Sequence, residues 1–171
     1  MERSGVLPAT QFAYLKGLGI CDALLCESHT LLSALESVQE ARIVQIDSSA
    51  AFDRVNHQGI LYKLCSVGMG GSVLSILTLF LSNRSQHVMV DECLSKLVNV
   101  VSGLPHGSVL GLLLFFLCTS ELLTMLENKM ISYADESTLM SVVSSPGVRV
   151  TVTESLIRDL GKISEWCDLW G

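Results

Sequence analysis

The chain has 171 residues, of which 49% are hydrophobic and only 16% are charged, and its formal net charge is −6. This length is enough for one domain with a substantial core, but soluble domains usually carry about 25% charged residues. The acidic balance argues against a free-standing nucleic-acid-binding module, because such modules bind phosphate through clustered lysine and arginine. The composition therefore indicates either a membrane protein or a piece of a larger protein.

The apolar segments favour the second of these interpretations. The longest unbroken apolar run, residues 109–118, is well short of the ~20 residues that a membrane span needs. The first residues contain no apolar signal segment, and the six cysteines lack metal-site spacing. We therefore expect reduced thiols in an intracellular protein, cytoplasmic or nuclear, that is neither secreted nor bound to a membrane. A small membrane-associated protein is the alternative, and it depends only on the mean hydropathy of +0.49.

The predicted elements alternate between helices and strands along the chain. An aromatic segment that we interpret as extended, residues 11–16, precedes them. Periodicity and turn signals predict helices over 22–38, 56–68, 73–81, 109–126 and 152–169, a strand over 42–47, and hairpins over 86–101 and 130–140. This order predicts an α+β fold in which an antiparallel sheet is backed by helices on one face.

Acidic residues stand at two ends of the predicted strands. Asp47 ends the first strand, and the pair Asp135-Glu136 falls at the tip of the second hairpin. Taken alone, the acidic pair is typical of a solvated turn. In one sheet, however, Asp47 and Asp135 can converge, and converging carboxylates can hold the divalent cations that support phosphoryl displacement.

A loop with two glycines around a proline, residues 103–107, leads into the predicted helix at 109. Such a loop can bring backbone close to a nucleotide at a helix N-terminus. Within it His106 is either a ligand or ordinary polar surface. Lys16 is likewise a phosphate contact or a surface lysine, whereas Phe52 and Gly107, taken alone, indicate core packing and a turn.

Four motifs resemble those of one family in order and spacing. They are QFAYLKG with DAL at residues 11–17 and 22–24, DSSAAFDRVNH at 47–57, SGLPHGSVLG at 102–111, and YADE at 133–136. Together they resemble the reverse transcriptase domain of non-LTR retrotransposons of the jockey-like kind. The resemblance implies a polymerase palm, an antiparallel sheet backed by helices, with partial fingers over residues 1–40 and the palm over 41–171, truncated before the thumb.

The resemblance also implies a catalytic metal site. Asp47 and Asp135 would ligate two Mg²⁺ ions, with Mn²⁺ as the alternative, and the backbone carbonyl of Ser48 would be a further ligand. Glu136 would be the third catalytic acid, although it stands where the family has aspartate. The reaction implied is RNA-directed DNA synthesis by two-metal nucleotidyl transfer to a primer 3′-hydroxyl.

The nucleotide-binding residues follow from the same resemblance. Phe52 would be the steric gate against a 2′-hydroxyl, His106 and Gly107 would line the nucleotide pocket, and Lys16 would contact phosphate. Asp53 is assigned a structural role. His106 replaces the usual glutamine, and Leu15 and Leu112 replace a usual arginine and proline.

The partners implied are an RNA template, a DNA primer and deoxynucleoside triphosphates, together with fingers, thumb and endonuclease segments that the sequence lacks. We therefore expect this fragment to be inactive by itself. The alternative function is a non-catalytic remnant of a mobile element that acts at most as a structural or interaction module.

Overall fold

The computed structural model describes residues 10–36, 40–48 and 50–170. The helices are α1 (Ile20–Glu36), α2 (Ala51–Arg54), α3 (His57–Ser66), α4 (Gly71–Leu81), α5 (Val109–Ser120), α6 (Leu122–Met125) and α7 (Arg149–Trp170), with a 3₁₀ turn at Pro146–Val148. The strands are β1 (Glu40–Asp47), β2 (Ser85–Gln86), β3 (Met89–Val90), β4 (Cys93–Leu94), β5 (Val98–Asn99), β6 (Lys129–Tyr133) and β7 (Glu136–Val143). These residues form two compact units. The first comprises the described chain up to Ser48 and Thr119–Leu169, and the second comprises Ala50–Cys118 with Trp170.

The first unit is built on a three-stranded antiparallel sheet with the order β1-β7-β6. Strands β6 and β7 are joined by the two-residue turn Ala134-Asp135, in which Ala134 has a φ of 58°. Two-residue hairpin turns use such left-handed backbone because it matches the twist of the flanking strands. The predicted strand and the predicted hairpin are therefore confirmed, and both belong to one sheet.

Helices cover both faces of this sheet. On one face α6 and α7 pack against the strands, in a cluster whose buried members are Leu122, Met130, Leu139, Leu156 and Ile163. On the other face α1 packs in a cluster of Phe12, Ala23, Ile131 and Met140. The prediction of helices on one face was wrong, because β6 and β7 carry consecutive apolar residues that point to opposite sides and need cover on both.

The interpretation of residues 11–16 as an extended segment was wrong, because the chain turns at Ala13 and Tyr14. Only Gln11 forms a bridge, parallel to Ser132, and the Phe12 N–H donates to the Ser132 carbonyl at 3.0 Å. The buried Gln11 side chain then accepts hydrogen bonds from the N–H groups of Phe12 and Ala13, at 2.9 and 3.0 Å. These local bonds replace strand pairing, so the chain turns after one bridge.

A buried carboxylate fixes the chain where β6 begins. Asp159 of α7 is 0% exposed and accepts hydrogen bonds from the backbone N–H groups of Glu127 and Asn128, at 3.0 and 2.8 Å. The Asn128 amide at 2.8 Å and the Lys162 ammonium at 3.2 Å also donate to it. Burial acts to raise the pKa of Asp159, but these donors outweigh it and lower that pKa.

The second unit contains α2 to α4, the short strands β2 to β5 and most of α5. The Asn56 side chain caps α3 by accepting hydrogen bonds from the Gln58 and Gly59 N–H groups at 2.9 and 3.1 Å. The ladders β2–β5 and β3–β4 confirm the hairpin predicted over 86–101. The helix predicted over 109–126 is instead divided into α5 and α6, with a turn at Glu121.

Helix α5 is apolar from Val109 to Cys118, and six of its residues are buried: Gly111, Leu114, Phe115, Phe116, Leu117 and Cys118. At 12 residues it extends about 18 Å, against about 30 Å of bilayer hydrocarbon. Across the described ranges no helix combines the length and apolarity required to cross a membrane.

Candidate active site

The predicted acidic residues meet at one end of the three-stranded sheet. Asp47, the last residue of β1, is the cross-strand partner of Glu136, the first residue of β7. Glu136 is also the partner of Tyr133 across the hairpin, and Asp135 occupies the turn between them. Directly opposed residues in neighbouring strands share a face, so Asp47, Glu136 and Tyr133 lie in one row. The register thus joins residues that are far apart in the sequence.

The chemistry of these residues fits a hard divalent cation, although their arrangement is open. Asp47 and Glu136 are exposed, while Asp135 and Ser48 are half-buried. Carboxylate and carbonyl oxygens are the ligands that Mg²⁺ uses in proteins. Over residues 10–36, 40–48 and 50–170, however, no three histidine, cysteine, aspartate or glutamate side chains are gathered into a group that could hold a metal ion. The oxygen donors are therefore in one place but are not arranged as a closed ligand set.

Tyr14 is a neighbour of this site that the sequence analysis missed. Its ring is half exposed. The pKa of its phenol is raised mainly by partial burial, and also by the negative charge of Asp135 and by the nearby Tyr133. The signal that could have identified Tyr14 is its phenol hydroxyl, within the QFAYLKG motif at residues 11–17. Lys16 lies in an exposed turn of the same unit, and its role as a phosphate contact stays a prediction.

The predicted nucleotide-binding residues Phe52, His106 and Gly107 lie in the second unit. The Phe52 ring stacks on Phe115 with centroids 4.3 Å apart, and its centroid lies 5.7 Å from that of His106. His106 Nε2 is 2.8 Å from Asp53 Oδ1. Gly107 has a φ of +73° and open space where a side chain would be. The structure therefore brings Phe52 and His106 together, and the roles assigned to these residues stay predictions.

Four hydrogen bonds hold the glycine-proline loop against the segment that carries Phe52. The Gly103 N–H donates to the Val55 carbonyl at 2.9 Å, and the Leu104 N–H donates to the Phe52 carbonyl at 2.8 Å. The His57 ring bonds the Gly103 carbonyl through Nε2 at 2.7 Å, and the Ser102 hydroxyl donates to the Asp53 carbonyl at 3.1 Å. Two of the recognised motifs are thus bonded to each other within one unit.

The opposed acids lead to a first prediction. Like charges directly opposite each other destabilise a sheet, so Glu136→Gln should raise the thermal midpoint by about 1–3 °C in a metal chelator. Adding Mg²⁺ should reduce this difference in thermal midpoint, because a bound cation stabilises the natural chain, with its full acidic site, more than it stabilises Glu136→Gln. Thermal denaturation with and without Mg²⁺ measures both effects. The control is Glu165→Gln, at an exposed position on a helix. A thermal midpoint of Glu136→Gln no higher than that of Glu165→Gln would contradict the prediction.

The sequence of the chain matches a family of known proteins. Residues 3–171 match the model of the family described as reverse transcriptase (RNA-dependent DNA polymerase). The chain therefore belongs to the reverse transcriptase family.

Its relatives include polymerases of insect mobile elements. The chain is 29% identical over 177 residues to the RNA-directed DNA polymerase from mobile element jockey of Drosophila funebris, covering 99% of this chain and 19% of the relative. It is 28% identical over 162 residues to the jockey polymerase of Drosophila melanogaster, covering 95% of this chain and 17% of the relative. A probable polymerase from transposon X-element of the latter species is 30% identical over 71% of this chain and 13% of the relative. The chain thus spans about a fifth of the length of the jockey polymerases.

Proposed function

We propose that the chain is the catalytic palm, residues 41–171, with part of the fingers, residues 1–40, of the RNA-directed DNA polymerase of a jockey-like retrotransposon. The polymerase would add deoxynucleotides to a primer 3′-hydroxyl on an RNA template. The observation that carries this proposal is the register that sets Asp47 opposite Glu136, with Asp135 in the adjoining turn, in a chain of the reverse transcriptase family.

The acidic end of the sheet would provide the cation site. Asp47, Asp135 and Glu136 would hold the cations through carboxylate oxygens, with the Ser48 carbonyl as a further ligand. When bound, two divalent cations stabilise the charge on the attacking and leaving oxygens of a phosphoryl displacement. The protein's own contribution is to set Asp47 opposite Glu136 on β1 and β7, which pair along all eight residues of β1, with Asp135 in the adjoining turn.

The second unit would provide the nucleotide contacts. Phe52, stacked on Phe115, would face the sugar and exclude a 2′-hydroxyl. His106 would line the pocket, and Gly107 would let backbone approach the nucleotide because the space beside its Cα is open. Lys16, exposed in the first unit, would contact phosphate.

Electrostatics sets a limit on what this chain does alone. Its net charge of −6 repels nucleic-acid phosphate, and the jockey polymerases have about five times its length. We therefore expect template and primer to be held mainly by basic surface elsewhere in such a polymerase. The isolated chain should show no primer extension.

A chimera tests the proposal. The segment of the Drosophila funebris jockey polymerase that aligns with this chain would be replaced by the chain, and RNA-templated primer extension would be measured. We expect weak extension, lowered about 10²–10³-fold by Asp135→Ala and raised by Glu136→Asp. Extension that survives Asp135→Ala, or a folded chimera that stays inactive with Glu136→Asp, would contradict the proposal.

The second candidate is a non-catalytic remnant of such an element. Two observations favour it: the described residues contain no group of three potential metal ligands, and Glu136 stands where the family motif has aspartate. A remnant need not bind divalent cations at Asp47 and Asp135. Cation binding therefore separates the two candidates without any measurement of activity.

A further inference from the structure

Asp53 and His106 form a side-chain pair in the second unit. The family resemblance assigned Asp53 only a structural role. Oδ1 of Asp53 lies 2.8 Å from Nε2 of His106, and the two side chains are 65% and 68% exposed. Exposed ion pairs contribute little to folding stability because water screens them and side-chain entropy opposes them. The consequence of this pair is therefore geometric: the hydrogen bond favours one position of the imidazole.

The imidazole that Asp53 holds contacts the proposed steric gate. The His106 ring is 5.7 Å from Phe52 with an interplanar angle of 46°, and Phe115 stacks on Phe52 at 4.3 Å and 19°. Phe115 is only 5% exposed, so packing holds it in place. His106 is on the surface, and the hydrogen bond that its ring donates to Asp53 restrains the ring where packing does not.

The pair also sets which imidazole nitrogen carries a proton. A carboxylate accepts a hydrogen bond only from a protonated Nε2, so the neutral ring keeps Nδ1 as an acceptor. A ligand beside Phe52 would meet a ring whose position and tautomer this hydrogen bond favours.

We propose that Asp53 is a positioning residue for nucleotide selection, which holds His106 against Phe52 and so restricts the orientation of the Phe52 ring. This inference rests on the proposed function, in which Phe52 distinguishes deoxyribonucleotides from ribonucleotides. Asp53 acts through His106 and does not touch the nucleotide. Its loss should loosen the discrimination that Phe52 provides.

The first experiment measures the positioning itself, on the full chain without ligand. Nuclear Overhauser effects between the His106 and Phe52 ring protons should be present in the natural chain and in Asp53→Asn, which keeps an acceptor oxygen. They should be lost in Asp53→Ala, while amide resonances of the three-stranded sheet stay unchanged. Full retention of these effects in Asp53→Ala would overturn the proposal. If Asp53→Ala fails to fold, His106→Ala replaces it in the second experiment, where it should give the same loss of selectivity.

The second experiment compares the affinities for 2′-deoxyadenosine triphosphate and adenosine triphosphate in Mg²⁺. The natural chain and Asp53→Asn should prefer the deoxynucleotide, Asp53→Ala should lose most of this preference, and Phe52→Ala should lose it entirely. An unchanged preference in Asp53→Ala, beside its loss in Phe52→Ala, would overturn the inference and leave the proposed gate intact. If Phe52→Ala does not alter the preference for the deoxynucleotide, the steric-gate role of Phe52 is contradicted and the selection role of Asp53 is overturned with it. The nuclear Overhauser effects of the first experiment then still decide whether Asp53 holds His106.

Discussion

Asp159→Ala should lower the free energy of unfolding by about 2–5 kcal/mol. The fully buried carboxylate accepts hydrogen bonds from the Glu127 and Asn128 backbone N–H groups, and alanine would leave both donors without an acceptor. Lys162 would also lose one of its acidic partners. Urea denaturation of the two proteins measures the difference. Because the bonded backbone leads directly into β6, the loss should also loosen the hairpin that carries Asp135.

A matched substitution and an acid titration test this account of Asp159. Glu165→Ala, an exposed acid on the same helix, should change stability by no more than about 0.5 kcal/mol. The lowered pKa of Asp159 means that the native chain binds this proton more weakly than the unfolded chain does. The stabilisation is therefore fully present above the ordinary aspartate pKa and is lost as the pH falls through the lowered native value. Equal losses of stability in the two alanine variants would contradict the role of Asp159.

Gly103→Ala should be the most damaging single change in the glycine-proline loop. The backbone there has a φ of +83°, and an added Cβ would lie 2.6 Å from the Asp53 carbonyl oxygen. The left-handed conformation costs a non-glycine residue about 1–2 kcal/mol, and overpacking against backbone adds about 1–3 kcal/mol. We therefore expect a total loss of about 2–5 kcal/mol in unfolding free energy, measured by denaturant titration.

Gly107→Ala is the control within the same loop. Gly107 also has left-handed backbone, with a φ of +73°, but nothing lies within 4 Å of an added Cβ. Its alanine variant should lose only the conformational part, about 1–2 kcal/mol. If Gly103→Ala were no more destabilising than Gly107→Ala, the close approach of the loop to Asp53 would be wrong.

Local sequence signals predicted the elements of this fold well, because each element has its own cause. Helical spacing of apolar residues located α1 and α7. Asn56, a residue type preferred at helix N-caps, indicated the start of α3. The turn of the chain after Gln11 could not be predicted, because it depends on the bridge between Gln11 and Ser132, which forms only in the folded structure. The packing of helices on both faces of the sheet could not be predicted either, since a run of consecutive apolar residues does not indicate which of them a helix will bury.

The candidate site was predicted in its members but not in their pairing. The motifs named Asp47, Asp135 and Glu136, yet only the register showed that Glu136, the departure from the family motif, stands directly opposite Asp47. Asp159 was missed, although its position three residues after Leu156 and four before Ile163 put an acid on the buried face of α7. Such a lone acid among inward-facing residues predicts a carboxylate that bonds backbone donors.

Binding of Mn²⁺ to the purified chain tests the central claim, that the acidic end of the sheet is a cation site. Titration followed by electron paramagnetic resonance should show binding that Asp135→Asn weakens by about tenfold or more, since even outer-shell partners of a metal contribute 10–100-fold. Asp91→Asn is the control and should leave the affinity unchanged, because Asp91 is likewise an acid in a hairpin turn, exposed between β3 and β4. Equal affinity in the natural chain, Asp135→Asn and Asp91→Asn would contradict the claim.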